Sequence, residues 1–248
     1  MPAKSPQARP TASELKLLSV VMPAYNEEAS IERVILEHVA CLDRRRDLVP
    51  AWEIVCVDDG SRDRTADVLR ALNEREPRVQ VVRHETNKGI YAAFTRCYRE
   101  ARGTHIYATG SDGQWPAENL EPMLEHLLAG ADLVVGVRNN RREVYTVARR
   151  ILSFGFNMLP RVLFGVTVQD AGSVKLGRRE IFLFDLTSTS PFFEAERIIR
   201  ASREGYQIDF VPIRFMVRSG GKASGSSWKN IRASVRDLFR CLAVYGAR

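Results

Sequence analysis

The chain has 248 residues, with 37 Lys and Arg against 30 Asp and Glu, a net charge of +7 at pH 7, and 45% hydrophobic residues. This is the composition of a soluble folded chain, it excludes disordered and collagen-like classes, and the length accommodates one large core or two small ones. No apolar run approaches the roughly 18 residues of a membrane-spanning helix, and Cys41, Cys56, Cys97 and Cys241 form no C-x-x-C pair, so reduced thiols are expected.

Residues 1–16 are polar and carry three prolines without the apolar stretch of a signal peptide. They read as a flexible tail and imply a cytoplasmic location. Leu17–Met22 is an apolar run closed by Pro23, the pattern of a buried strand. Glu28–Arg46 has helical spacing, with Ile31, Val34, Ile35, His38, Val39 and Leu42 on one side. A second strand, Glu53–Val57, stops at the turn cluster Asp58-Asp59-Gly60-Ser61. The alternation continues with a helix over Thr65–Glu76, a strand over Val79–Arg83, a helix over Lys88–Ala101 and a strand over His105–Thr109. Ala117–Leu128 is a helix opening after Pro116, and Asp132–Val137 is the fifth strand. Strands alternating with helices predict right-handed crossovers and a doubly wound, mostly parallel sheet with helices on both faces. Ligands of such sheets sit beyond the carboxyl ends of the strands, where this chain carries Tyr25-Asn26-Glu27, Asp58-Asp59, Asn87-Lys88 and Ser111-Asp112-Gly113-Gln114.

The second half departs from the alternation. Residues 138–150 hold five arginines, and Ile151–Leu163 reads as an apolar helix. Val174–Leu176 predicts a short strand and Glu194–Arg203 a helix. Gln207–Val217 predicts a strand that Pro212 assigns to an edge or bend. Ser219–Ser227 is a Gly-Ser hinge. Trp228–Tyr245 is an amphipathic helix with Ile231, Val235, Leu238, Leu242 and Tyr245 on its apolar stripe. From residue 214 onward eight basic residues face Asp237 alone, so this end carries the net charge of the whole chain. That asymmetry suits an anionic partner or a solvated helix face. Residues 1–16 are thus expected as a tail, 17–218 as one domain, and 219–248 as a hinge with a basic helix.

Taken singly, the polar clusters admit several roles. Asp58-Asp59 suits a metal, a nucleobase N–H, a ribose or a helix cap, and Asp63 or Thr65 is an alternative cap for the helix that follows. Asp112 and Gln114 suit a hard divalent ion bridging phosphates, or an ordinary turn. P-loop, dinucleotide-binding and α/β-hydrolase motifs are absent, the four histidines lack metal-ligand spacing, and nothing beyond the basic end points to nucleic acid.

Val20–Val34, Glu53–Leu69, Asn87–Gly89 and Ser111–Pro122 resemble the family 2 glycosyltransferases of the GT-A fold through P-x-Y-N-E, D-D-G-S-x-D-x-T, N-K-G and D-G-Q in that order. Gly136–Arg138, the arginine-rich stretch, Gln169-Asp170, Phe193–Tyr206, Val211–Ile213 and Arg218–Ser224 are similar to the dolichol-phosphate mannosyltransferase and polyprenyl-phosphate sugar transferase branch. The resemblance implies inverting transfer of a hexose from a nucleotide-diphosphate sugar to a polyprenyl phosphate, with Mg or Mn as cofactor and no nucleic-acid partner. Transfer to a hydroxyl of a small molecule or glycan, and a non-catalytic nucleotide-sugar-binding homologue, are the alternatives. Pro23, Tyr25 and Glu27 would surround the nucleoside, with Val57 and Asp59 meeting the base. Ser111 and Asp112 would line the donor site, while Asp112 and Gln114 would hold the cation, a Lewis-acid role. Arg138, Arg218 and Lys222 would face donor phosphates. Arg138 with Arg141, Arg142 and Arg149 would receive an anionic acceptor. Glu196, with Asp112, would be catalytic, and Glu194 or Glu196 would act as base for a hydroxyl acceptor. Three positions depart from the family pattern: Gly110 stands in place of the first acid of D-x-D-x-Q, Tyr91 in place of a glycine, and Ser224 in place of a lysine. The missing acid is expected to weaken metal binding. The basic helix would attach the protein peripherally to the cytoplasmic face of a membrane.

Overall fold

The computed structural model describes residues 15–139, 158–216 and 228–246, with the side chains of 228 and 229 left aside. Residues 1–14 of the expected tail, Arg141, Arg142, Arg149, Arg218, Lys222 and the Gly-Ser hinge lie outside the described residues; Leu15, expected in the tail, is buried in the core because its apolar side chain packs there.

The first half alternates as its pattern dictates: β1 (Leu18–Ala24), α1 (Ile31–Arg44), β2 (Trp52–Asp58), α2 (Thr65–Arg75), β3 (Val79–Arg83), α3 (Ile90–Glu100) and β4 (His105–Ala108). Ala117–Asn119 forms a single 3-10 turn that leads into α4 (Leu120–Leu128), and β5 spans Leu133–Arg138. Residues 158–164 are helical, the described part of the helix expected over 151–163. Then follow β6 (Lys175–Arg178), a short α5 (Arg179–Phe182) that the pattern did not announce, α6 (Phe193–Arg203), β7 (Ile208–Ile213) and α7 (Trp228–Tyr245).

The seven strands are ordered β3-β2-β1-β4-β6-β5-β7. β6 runs antiparallel to β4 and β5, and the other paired strands are parallel. Pro212 lies on the edge strand β7, where a missing N–H costs no ladder bond on the open side. Strand side chains alternate between two cores. Val20 and Met22 pack with α1, α2 and α4 residues on one face of the sheet, while Val21 packs with α3, α5 and α6 residues on the other. All four cysteines are buried and free. His38 is a packed residue, with Nδ1 2.8 Å from the Val34 carbonyl oxygen.

Helix α7 docks on the second core. Leu238 and Cys241 are buried within it, and Leu242 and Tyr245 pack against it. The buried face is rotated from the expected stripe, because Val235 is exposed and Ser234 and Asp237 are buried. A buried carboxylate needs donors, and the Asp237 carboxylate accepts the N–H groups of Thr189 and Ser190 at 3.2 and 3.0 Å. The outward face carries Arg232, Arg236 and Arg240 among Val235, Phe239 and Val244.

Candidate functional site

Chain order reverses at β1: β2 and β3 lie on one side of it and β4 on the other. Such a switch point opens a crevice beyond the strand ends. The Ser111 hydroxyl crosses it, donating to the Pro23 carbonyl at 2.7 Å. The Ser30 hydroxyl, just before α1, lies 3.1 Å from the Ser111 carbonyl oxygen and 2.9 Å from Glu27 Oε2, acceptors within reach of its one proton. The loop after β1 is pinned from the other side. Glu27 N–H donates to Thr65 Oγ1 at 2.8 Å, and Glu28 N–H to Asp63 at 3.2 Å. Asn26 takes a left-handed conformation, φ 55°, and its side-chain oxygen accepts the Arg62 N–H at 2.9 Å. Tyr25 is thereby left 40% exposed at the crevice, an aromatic face open for stacking.

Asp58 and Asp59 diverge. Asp58 is fully buried, caps the turn by accepting the Ser61 N–H at 2.9 Å, and pairs with Arg83 at 3.2 Å. Asp59 organises the loop after β3: it accepts the Lys88 and Gly89 N–H groups at 2.9 and 2.8 Å and lies 2.7 Å from His84 Nδ1. Gly60 permits this approach, since a Cβ there would sit 2.6 Å from the Thr86 backbone. Val57, expected beside a base, is fully buried in the second core. Its side chain is a packing residue, because the strand's alternation turns it toward α3. His84 escaped the sequence reading: a lone histidine carries no spacing signal, and only the β2–β3 pairing brings it to Asp59.

After β4, Asp112 Oδ1 accepts the Gln114 N–H at 3.1 Å. Gln114 in turn pairs with the segment beyond β7: its carbonyl accepts the Met216 N–H at 2.9 Å, and its side-chain N–H donates to the Met216 carbonyl at 3.4 Å. Trp115 meets Phe215 edge-on at 4.7 Å. The Arg138 guanidinium lies 5.3 Å from the Trp115 ring and 4.9 Å from that of Phe215. It forms a multiply bonded ion pair with Asp170, Nη2 to Oδ1 at 2.5 Å, and the Arg138 N–H also donates to that carboxylate. Arg138, expected to meet phosphate, thus has a carboxylate partner and is largely buried.

Helix α6 supplies two buried acids. Glu194 pairs with Lys175 at 2.7 Å, and the lysine also donates to the carbonyls of Ala171 and Ser173. Burial lowers the Lys175 pKa, and Glu194 works against that fall. Glu196 is fully buried and accepts four hydrogen bonds: the Thr187 N–H and hydroxyl, the Ser188 N–H, and the Tyr245 hydroxyl. Glu196, expected to be catalytic, holds the loop before α6 and the end of α7 with its oxygens. Lys175, missed by sequence reasoning, sits in strand register with Ala108 at the end of β4.

An open, mainly parallel sheet with polar clusters converging on the β1/β4 switch point defines a doubly wound α/β ligand-binding fold. The chain belongs to glycosyl transferase family 2, whose profile matches residues 19–184. Its curated relatives include the undecaprenyl-phosphate 4-deoxy-4-formamido-L-arabinose transferase of Pseudomonas paraeruginosa, 38% identical over 64% of this chain and 45% of that one. The enzyme of the same description from Pectobacterium carotovorum subsp. carotovorum is 33% identical over 64% and 47%. The chain spans about half the length of these relatives. Among solved structures, the Pyrobaculum calidifontis mannosyltransferase in complex with GDP-Man and Mn2+ aligns with a TM-score of 0.67 and 21% identity, covering 99% of this chain and 69% of that one. Glucosyl-3-phosphoglycerate synthase from Mycobacterium tuberculosis, with Mn2+, UDP and glucosyl-3-phosphoglycerate, aligns with a TM-score of 0.63 and 25% identity, covering 99% and 88%. The fold is GT-A, as the sequence motifs implied.

Proposed function

We propose that the protein is an inverting glycosyltransferase that moves a sugar from a nucleotide diphosphate to a polyprenyl phosphate, with a divalent cation on the diphosphate. The observation that carries the acceptor is the state of the α6 carboxylates. Glu194 is ion-paired with Lys175 at 2.7 Å, and Glu196 is buried under four hydrogen bonds. A hydroxyl acceptor requires a base within reach of its proton, and both of these carboxylates are engaged with partners inside the protein. A phosphate brings an oxygen that is already anionic. The relatives named for undecaprenyl phosphate support this reading. Their sugar is a modified arabinose, which widens the expected donor beyond a hexose.

Tyr25 stacks on the base, Pro23 and Glu27 line the nucleoside, and Asp59 orders the loop against it. Asp112 and the Gln114 side-chain oxygen would hold the cation, which would supply Lewis-acid charge to the leaving diphosphate. The solved relatives holding Mn2+ with UDP or GDP-Man support a cation here. Arg218 and Lys222 follow Met216, which is tied to Gln114, by two and six residues, and serve the donor phosphates. Arg138 holds Asp170, leaving Arg141, Arg142 and Arg149 to receive the acceptor phosphate. The outward face of α7 rests on the cytoplasmic face of a membrane.

The test is transfer of label from radiolabelled UDP- and GDP-sugars with polyprenyl phosphate or a neutral hydroxyl acceptor. Label is expected on the lipid phosphate, and is lost with chelator and in Asp112→Ala. Transfer only to the hydroxyl acceptor overturns the acceptor assignment. Binding of the nucleotide sugar without any turnover assigns a non-catalytic role.

A further inference from the structure

We propose that Lys175 is a positioning residue for the acceptor: its ammonium ties the turn after Asp170 to helix α6 and so fixes the Arg138–Asp170 pair, from which the arginine-rich segment departs. The inference rests on the acceptor reading above and adds the residue that sets its geometry.

β6 runs against β4 and β5, so its first residue lies at their carboxyl ends, beside the crevice. That residue is Lys175, in register with Ala108 and Val135, both of which belong to the second core. Its side chain therefore enters an apolar layer, where an ammonium is costly and a Leu or Met would pack without charge. The charge is fully satisfied there. Three N–H donors meet three acceptors: Glu194 Oε2 at 2.7 Å, the Ala171 carbonyl at 2.5 Å and the Ser173 carbonyl at 3.0 Å.

Two of those acceptors belong to the turn that leads into β6. Asp170, at its start, has φ 49°, a left-handed conformation that a residue other than glycine keeps only where its surroundings impose it. The Ser173 N–H closes the turn on the Asp170 carbonyl at 2.8 Å, and the ammonium gathers the Ala171 and Ser173 carbonyls. The Asp170 carboxylate, aimed by this backbone, takes the Arg138 N–H and guanidinium. Arg138 is the last residue of β5 and stands against Trp115 and Phe215. On the far side of the lysine, Glu194 accepts the Tyr98 hydroxyl at 3.4 Å and lies 3.9 Å from Arg197. Contacts thus run without a break from α6 through Lys175, the turn and Asp170 to Arg138. An apolar residue at 175 would fill the core but leave the turn carbonyls without a donor, so what the lysine adds is geometry.

The experiment compares wild type with Lys175→Met/Glu194→Gln, which removes both charges and keeps an oxygen for Tyr98, and with Glu194→Gln, which leaves the ammonium on the turn. Circular dichroism checks that each is folded. KM values are measured separately for undecaprenyl phosphate in detergent and for the radiolabelled UDP- or GDP-sugar. In parallel, 5-fluorotryptophan is incorporated and the 19F resonance of Trp115, assigned through Trp115→Phe, reports on Arg138, with Trp52 as internal control. The double variant is expected to raise the acceptor KM about tenfold, with the donor KM within about twofold, and to shift the Trp115 resonance alone. Glu194→Gln is expected to do the same to a smaller degree, about threefold. Equal rises in both KM values assign Lys175 a purely structural role and overturn the inference, as does a Trp115 resonance that stays in place. A wild type that transfers no label to undecaprenyl phosphate defeats the acceptor reading, and the Trp115 resonance then still decides whether Lys175 places Arg138.

Discussion

Lys175 is 2% exposed, with its ammonium 2.7 Å from Glu194 and the Arg197 guanidinium 3.9 Å from the same carboxylate. Charges so buried are tolerated only because each meets the others and backbone carbonyls. Removing one member, as in Lys175→Met or Glu194→Gln, strands the opposite charge and is expected to cost about 3–5 kcal/mol. The double variant Lys175→Met/Glu194→Gln should lose less than the sum of its parts, and urea unfolding of the full double-mutant cycle measures the difference. His105 sets a pH dependence. Burial, with Arg178 nearby, lowers its pKa to about 4. The fold favours the neutral ring, so the unfolded chain takes up the proton first as pH falls below about 6.5. Stability from this group is complete above that pH and declines toward pH 4, by up to about 3 kcal/mol. Burial lowers the pKa of His38 as well, and the decline has the same sign. Urea midpoints measured from pH 7 to pH 4 should fall less steeply in His105→Gln than in wild type. Identical slopes would remove His105 from the account.

At the scale of elements, α7 is a strut. Asp237 holds the N–H groups of Thr189 and Ser190, and Tyr245 reaches Glu196, so the loop that leads into α6 is fixed from both ends by carboxylates. Asp237→Ala leaves the buried Ser190 N–H without its acceptor, a loss of about 1–3 kcal/mol. Leu238→Ala opens a cavity in the second core and is expected to cost about 2–5 kcal/mol. Phe239→Ser on the outward face of the same helix should stay within about 0.5 kcal/mol. Thermal or urea unfolding separates these three outcomes. A Leu238→Ala variant as stable as wild type would mean that α7 does not dock in solution.

For the whole molecule, the outward face of α7 adds Arg232, Arg236 and Arg240 to the apolar Val235, Phe239 and Val244. No described helix is long and apolar enough to cross a membrane. Contact with an anionic bilayer would be reversible, worth roughly 1 kcal/mol per basic residue near the surface. Co-sedimentation with anionic vesicles is expected at low salt and lost near 1 M, where the Debye length falls to about 3 Å. Arg232→Gln/Arg236→Gln/Arg240→Gln, which removes the charge without setting acids beside the buried Asp237, should strongly weaken it while leaving transfer to a detergent-solubilised acceptor intact. Failure to sediment with anionic vesicles at low salt would reject the membrane surface and shift weight to a soluble acceptor.

The β-α alternation was legible because apolar runs and turn clusters are local signals. β3 and α7 have the bounds their patterns predicted, and Glu27, Ser30 and Ser111 tie the loops after β1 and β4 together beyond the strand ends. The 3-10 turn at Ala117–Asn119 and the start of α1 at Ile31 were not legible, since helix ends depend on capping geometry. Partners were less legible still. Arg138 and Asp170, Lys175 and Glu194, and Asp59 and His84 find each other across 32, 19 and 25 residues of chain. The same residue types that suggested phosphate contact at Arg138 and catalysis at Glu196 have partners inside the protein. Residue type and periodicity determined the strands, the helices and the edge where chemistry collects. Tertiary structure alone decided which charges face the crevice and which are spent on each other. A buried charge must be neutralised by whatever the fold brings within about 4 Å, and that distance is not written in the order of the residues.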